Sequence, residues 1–194
     1  SLSAHAKDIF LGDPRQIREL LGAACFTVTC TGYNHEVLQG LAPPGAAVHR
    51  VYHGIDTGRF APARAPGLRA VAAHEAAAAM VAAGERADGA PSPTRILAVG
   101  RLREKKGFAT LVRAVAALRE QGVESVCDIV GYGEQQPALE AQIASLRLEG
   151  RVRLGGKMSH ARIRDLYREA DVFVAPSEIA ADGDRDGIPN VLLE

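Results

Sequence analysis

Residues 96–133 read ILAVGRLREKKGFATLVRAVAALREQGVESVCDIVGYG, and the alternation inside this stretch decides the fold. Ile96 to Val99 is an unbroken apolar run of strand length, closed by Gly100. Phe108 to Arg119 then spaces its apolar residues as a helix does, and Val126 to Val130 is a second strand closed by Gly131-Tyr132-Gly133. A strand, a helix and a second strand joined by short turns return the chain in the same direction, so the strands pair in parallel. The rhythm continues outward: helix Pro137 to Leu146, strand Val152 to Leu154, helix Ala161 to Glu169 capped by Ser159, strand Val172 to Ala175. This predicts an α/β fold built on a parallel, doubly wound sheet. Ligands of such sheets bind beyond the carboxyl ends of the strands. Three loops leave strand ends here, spanning 100–107, 131–134 and 176–189, and function is expected on them.

The N-terminal segment has the same character. Asp13-Pro14 supplies a cap and a first-turn proline for a helix over Arg15 to Ala24. Phe26 to Cys30 alternates as a strand, Tyr33 to Leu41 is a short helix, and Val48 to Tyr52 is a strand leading into His53-Gly54-Ile55-Asp56. Between 61 and 93 the composition changes. Ala70 to Ala83 favours helix by propensity, and proline- and glycine-rich ends flank it, as a linker requires. The expected organisation is therefore residues 1–60, a linker over 61–93, and a second α/β domain over 94–194.

The 194 residues carry zero formal net charge, which gives no electrostatic footprint for nucleic acid or an anionic membrane. No apolar run reaches a membrane span and no signal peptide opens the chain, so a cytoplasmic protein is expected. Cys25, Cys30 and Cys127 form an odd set without CxxC spacing and read as core thiols rather than disulfides or metal ligands. Position 1 is not Met and the chain stops at Glu194 inside an apolar run, so a fragment of a longer protein is expected.

The last thirteen residues, DGDRDGIPNVLLE, invite a calcium-loop reading. Counted from Asp182, the twelfth position should hold a bidentate glutamate, but it is Leu193, and the segment entering the loop is a strand. That reading is set aside, and Asp182 and Asp184 are expected on a solvated loop. In GRLREKKG, Arg101 follows a buried strand and Lys106 precedes a helix start. A cation at each end of one loop beside helix N–H groups can hold a diphosphate without a metal ion, although a solvated basic turn has the same composition. Gly131 and Gly133 permit close backbone approach to a ligand, or simply a tight turn. Asp186 precedes a helix expected to begin near Pro189, and Glu194 lies about one turn inside it. A carboxylate there can accept from two vicinal hydroxyls; an N-cap aspartate and a surface glutamate fit the spacing equally. His5 and His53 carry no decisive signal by themselves.

Taken in order, SAHAKDIF, VTCTGYNHEVL, VYHGIDTGRF, ILAVGRLREKKGF, IVGYGEQQPALE, ADVFVAPS and DGIPNVLLE resemble family 4 retaining glycosyltransferases of the GT-B fold, of the bacterial polysaccharide-synthesis type. The resemblance runs over nearly the whole chain. It implies two Rossmann-like domains, both incomplete here, with 1–60 the acceptor-side part and 94–194 the nucleotide-sugar-binding part. It implies a nucleoside-diphosphate sugar donor (a UDP-sugar by default, a GDP-sugar as the variant), a saccharide or lipid-linked saccharide acceptor, transient membrane contact, and no cofactor. The family's Arg and Lys pair falls on Arg101 and Lys106, the clamp for the diphosphate. Its paired acidic motif falls on Asp186 and Glu194, the second of which holds the nucleotide ribose. Ile188, Pro189, Asn190 and Val191 meet the donor sugar and phosphates, and His5 approaches the sugar near the reacting centre. Asp186 departs from the family's glutamate by one methylene, which changes its reach to the sugar. A sugar-nucleotide epimerase shares this architecture and differs by altering the sugar without an acceptor. A non-catalytic nucleotide-sugar-binding fragment is the non-enzymatic alternative.

Overall fold

A computed structural model describes residues 1–54, 92–186 and 190–192. The alanine-rich segment, Ile55, Asp56, Ile188, Pro189 and Glu194 lie outside the described residues, as does the side chain of Asn190. The chain divides into two compact units, Ser1–Asp56 with Ser177–Glu194, and Thr57–Pro176. Among the described residues, no helix is long and apolar enough to cross a membrane.

The first unit carries a three-stranded parallel sheet in the order β1 (Leu2–Ser3), β2 (Thr27–Thr29), β3 (Val48–Arg50). Helices α1 (Ala6–Phe10), α2 (Pro14–Ala23) and α3 (Gly32–Leu41) connect the strands. Asp13 caps α2 by accepting from Arg15 N at 2.8 Å, and Thr31 caps α3 by accepting from Asn34 N at 3.0 Å. Both side chains satisfy backbone donors that a helix start leaves without partners. Ile9, Ile17, Leu21 and Leu38 form the core beneath this sheet. Thr29 Oγ1 is buried in this unit without a hydrogen-bond partner. Thr29→Val removes a stranded hydroxyl at nearly constant shape, so it is expected to stabilise the chain by about 1 kcal/mol. Urea denaturation checks this, and a loss of stability would show that the hydroxyl has a partner in solution.

The second unit holds four parallel strands in the order β6 (Val152–Gly156), β5 (Ser125–Val130), β4 (Thr94–Val99), β7 (Val172–Phe173). Helices α4 (Phe108–Glu120), α5 (Gln136–Ser145) and α6 (His160–Glu169) are the crossovers. Strand alternation sends β4 side chains to opposite faces. Ile96 and Ala98 join Val112, Val115, Ile129 and Leu139 in one core, while Leu97 joins Val130 and Leu166 in another. With both faces covered, β4 reads as the apolar run seen in its sequence. Arg95 ties β4 to the strand entering from α6: its N donates to Asp171 Oδ2 at 2.8 Å and its Nη2 to Glu169 Oε2 at 3.0 Å.

Among the described residues, the elements expected up to β7 are found with small shifts at their ends. The ladder of β3 stops at Arg50 rather than Tyr52, although Val51 N still donates to Thr29 O at 2.8 Å. Similarly, β7 ends at Phe173, with Val174 N still donating to Leu97 O at 2.8 Å. Two expectations fail. Cys25 is exposed and Cys30 only partly buried, because both flank β2 instead of lying within it; Cys127 is the buried thiol. Asp184 is buried, at 7% exposure, because a tight turn folds it inward. In that turn Ala180 N donates to Asp184 O at 2.9 Å, Gly183 N donates to Ala180 O at 2.8 Å, and Asp184 N donates to Asp182 Oδ1 at 2.9 Å.

Candidate functional site

The loop leaving β4 is organised from below by Leu102. Its side chain is fully buried in the core against α4, while the neighbouring Arg101 is exposed. Leu102 N donates to Tyr132 O at 2.9 Å and Gln135 N donates to Leu102 O at 3.0 Å, so the β4 and β5 exits are stitched together. Gly131 and Gly133 make that contact feasible. A Cβ on Gly131, at φ 152°, would lie 1.8 Å from Gly100 O, and one on Gly133 would lie 2.4 Å from Leu102 O. The close backbone approach that the glycines permit is thus to the neighbouring loop of the same chain.

The basic residues follow from this turn. Glu104–Lys106 form one 3-10 turn that ends at Gly107, whose φ of 63° is the left-handed conformation glycine adopts without strain. Gly107 is the N-cap of α4 and supplies no side chain to the helix's first N–H groups. Lys106, the last residue of the turn, folds back over the strand exit. A methyl placed on Gly100 would lie 3.6 and 3.7 Å from Lys106 Cδ and Cε. Arg101 and Lys106 therefore come to the same strand end, beside the amino terminus of a thirteen-residue helix with its partial positive charge. Such a group of donors suits a dianion or diphosphate. On the adjoining exit Tyr132 is exposed, and Lys157 Nζ stands 5.8 Å from its ring centroid.

In the first unit, His5 is the N-cap of α1. Its N donates to Asp8 Oδ2 at 3.0 Å, and Ser3 Oγ lies 3.1 Å from its Nε2 in a hydrogen bond whose direction depends on the tautomer. His5 is not isolated, because the His53 ring stands edge-on at 5.8 Å between centroids. Asp186 is held by the Ser177 hydroxyl, which donates to its Oδ2 at 3.1 Å. Ser177 was not expected from sequence; its signal is the polar residue that ends the apolar run before the loop. Arg185 stacks over Phe10 at 4.3 Å, and Phe10 in turn stacks on Tyr33. These contacts fix the segment that carries Asp186. Asn190–Leu192 form a 3-10 turn, while Ile188, Pro189 and Glu194 lie outside the described residues. Arg101 and Lys106 thus belong to one unit, and His5, Asp186 and Val191 to the other.

The parallel α/β sheets are those of GT-B glycosyltransferases. HepE from Anabaena, solved in complex with UDP and glucose, superposes with a TM-score of 0.64 at 17% identity over 91% of this chain and 45% of that one. A sucrose-phosphate synthase from Thermosynechococcus elongatus does so with 0.62 at 21% identity, over 85% of this chain and 39% of that one. Residues 86–194, more than half of the chain, match the family described as glycosyl transferases group 1, and the chain belongs to that family. The amylovoran biosynthesis glycosyltransferase AmsK of Erwinia amylovora is 42% identical over 107 residues, 55% of this chain and 26% of that protein. The putative colanic acid biosynthesis glycosyltransferase WcaL of Escherichia coli K12 is 38% identical over 103 residues, 53% of this chain and 25% of that protein. The matched region spans about a quarter of the length of these two relatives.

Proposed function

We propose that the protein carrying this chain transfers a sugar from a nucleoside-diphosphate sugar to an acceptor hydroxyl with retention, in the assembly of a polysaccharide. The observation that carries this reading is the basic exit of β4, which Arg101 follows directly and Lys106 folds over, next to α4, whose N-cap Gly107 offers no side chain. Departure of a nucleoside diphosphate develops negative charge, and donors already aimed at that charge lower the barrier without a metal ion. The relatives' names place them in amylovoran and colanic acid biosynthesis, and the HepE structure holds UDP and glucose, which favours a UDP-sugar donor and a saccharide or lipid-linked saccharide acceptor.

In this reading residues 94–194 bind the donor and 1–60 face the acceptor, a functional division that differs from the compact units by assigning Ser177–Glu194 to the donor side. His5 approaches the sugar, and Asp186, steadied by Ser177, contacts it. Glu194 holds the ribose, and Ile188, Pro189, Asn190 and Val191 meet the sugar and phosphates with backbone groups. The work is done in the cytoplasm, at the membrane face where a lipid-linked acceptor would stand.

A thermal-shift comparison of UDP, GDP and ADP tests the reading, because a ligand that binds the native state raises its melting temperature. UDP is expected to give the largest shift without added divalent ion and after chelator treatment. Glu194→Gln is expected to weaken UDP by about tenfold, the loss of one charge-assisted hydrogen bond. No shift with any of the three, or a shift that needs a divalent ion, defeats the proposal.

A further inference from the structure

We infer that His5, Cys30 and His53 form a binding site for a zinc-class divalent cation. The three residues lie far apart in sequence, but the first sheet brings them to one edge. His5 follows β1, Cys30 follows β2 directly, and His53 follows β3. Parallel strands must all exit on the same side, so the topology itself gathers them. One ligand atom from each lies within 4.8 Å of the others. A tetrahedral ion with bonds of about 2.0–2.3 Å needs its ligand atoms roughly 3.3–3.8 Å apart. Each separation must shorten by at most about 1.0–1.5 Å, within reach of side-chain rotation, since His5 and His53 are exposed and Cys30 is partly so.

Donor chemistry selects the ion. Two imidazoles and a thiolate suit zinc, cobalt or copper, whereas magnesium and calcium take oxygen ligands. The surroundings agree. The Ser3 hydroxyl against His5 Nε2 is the kind of outer contact that orients a ligating imidazole. Asp8, bonded to His5 N, adds negative charge on the same turn. Three protein ligands leave a fourth position for water, and a bound ion ties the exits of all three strands together. His5 is also the residue assigned above to approach the donor sugar, so an ion there and a sugar there exclude one another. The site itself does not depend on the transfer reading.

Cobalt(II) titration of the whole chain, kept reduced with a phosphine, reads the site directly through the thiolate-to-cobalt charge-transfer band in the near ultraviolet. One cobalt per chain is expected, displaced by zinc. Cys30→Ser should abolish the band and Cys25→Ser should keep it. Cys127 is no rival, because burial and the adjacent Asp128 push its thiol up to about 12. His53→Asn, at an exposed position that does not threaten folding, should weaken binding at least about tenfold, as loss of even an outer-shell contact does. No band in the wild-type chain, a band retained in Cys30→Ser, a band lost in Cys25→Ser, or unchanged affinity in His53→Asn would each overturn the site. None of these readings uses sugar transfer or nucleotide binding, so they fail independently of the proposed function.

Discussion

Replacing Arg101 with alanine in the intact transferase is expected to slow turnover by roughly tenfold to a few hundredfold while leaving the fold untouched. The range follows from the proposed role of Arg101, one charge-assisted hydrogen bond to a departing diphosphate, worth about 1.5–3 kcal/mol and converted at about 1.4 kcal/mol per tenfold in rate. Stability should not change by more than about 0.5 kcal/mol, because the Arg101 side chain is exposed and the loop is anchored by Leu102. Arg101→Lys should recover part of the loss, since it restores charge without the planar two-pronged donor. Turnover of Arg101→Ala equal to wild type would remove Arg101 from the diphosphate site. A parallel drop in melting temperature would instead assign it a structural role.

The second sheet was open to sequence reading because burial on both faces leaves little choice of residues. Within Thr94–Val99 the last four residues are an unbroken apolar run, Ser125–Val130 is interrupted only by Asp128 after its first residue, and the caps at Asp13, Thr31 and Ser159 mark where helices start. The pieces that sequence reading missed are short. β1 has two residues and α1 five, too few for either periodicity to show. Asp184 looked solvated because Asp-Gly-Asp is polar; backbone bonds within 180–184 turn it inward, and nothing local announces that. Cys25 and Cys30 followed the apolar run into the expected core, but the ladder covers only Thr27–Thr29, three of the four residues between them. The basic loop was legible as composition, two cations flanking a turn. The fold of Lys106 back over Gly100 was not, because it depends on the left-handed Gly107 that ends the 3-10 turn. The gathering of His5, Cys30 and His53 is purely topological and could not be seen before the strand order was known.

The glycines after β5 lead to the largest expected effect on stability. Gly131→Ala would place a methyl carbon 1.8 Å from Gly100 O and 2.8 Å from its carbonyl carbon, both backbone atoms with no side-chain freedom to yield. Its φ of 152° is also one that side chains rarely adopt. To relieve the clash the β4 and β5 exits must separate. That endangers the bonds Gly100 N to Val130 O, Leu102 N to Tyr132 O and Gly131 N to Gly156 O, each 2.9 Å long. Strain at a glycine-only position together with broken backbone pairing belongs to the rare substitutions costing about 4 kcal/mol or more. Gly150→Ala is the matched control, since its added methyl meets nothing within 4 Å and should shift stability by under about 0.5 kcal/mol. Urea midpoints of the two variants against wild type decide the matter. A Gly131→Ala loss below about 1 kcal/mol would mean the exits have room to part, and Leu102 would no longer explain how Arg101 and Lys106 are held beside α4.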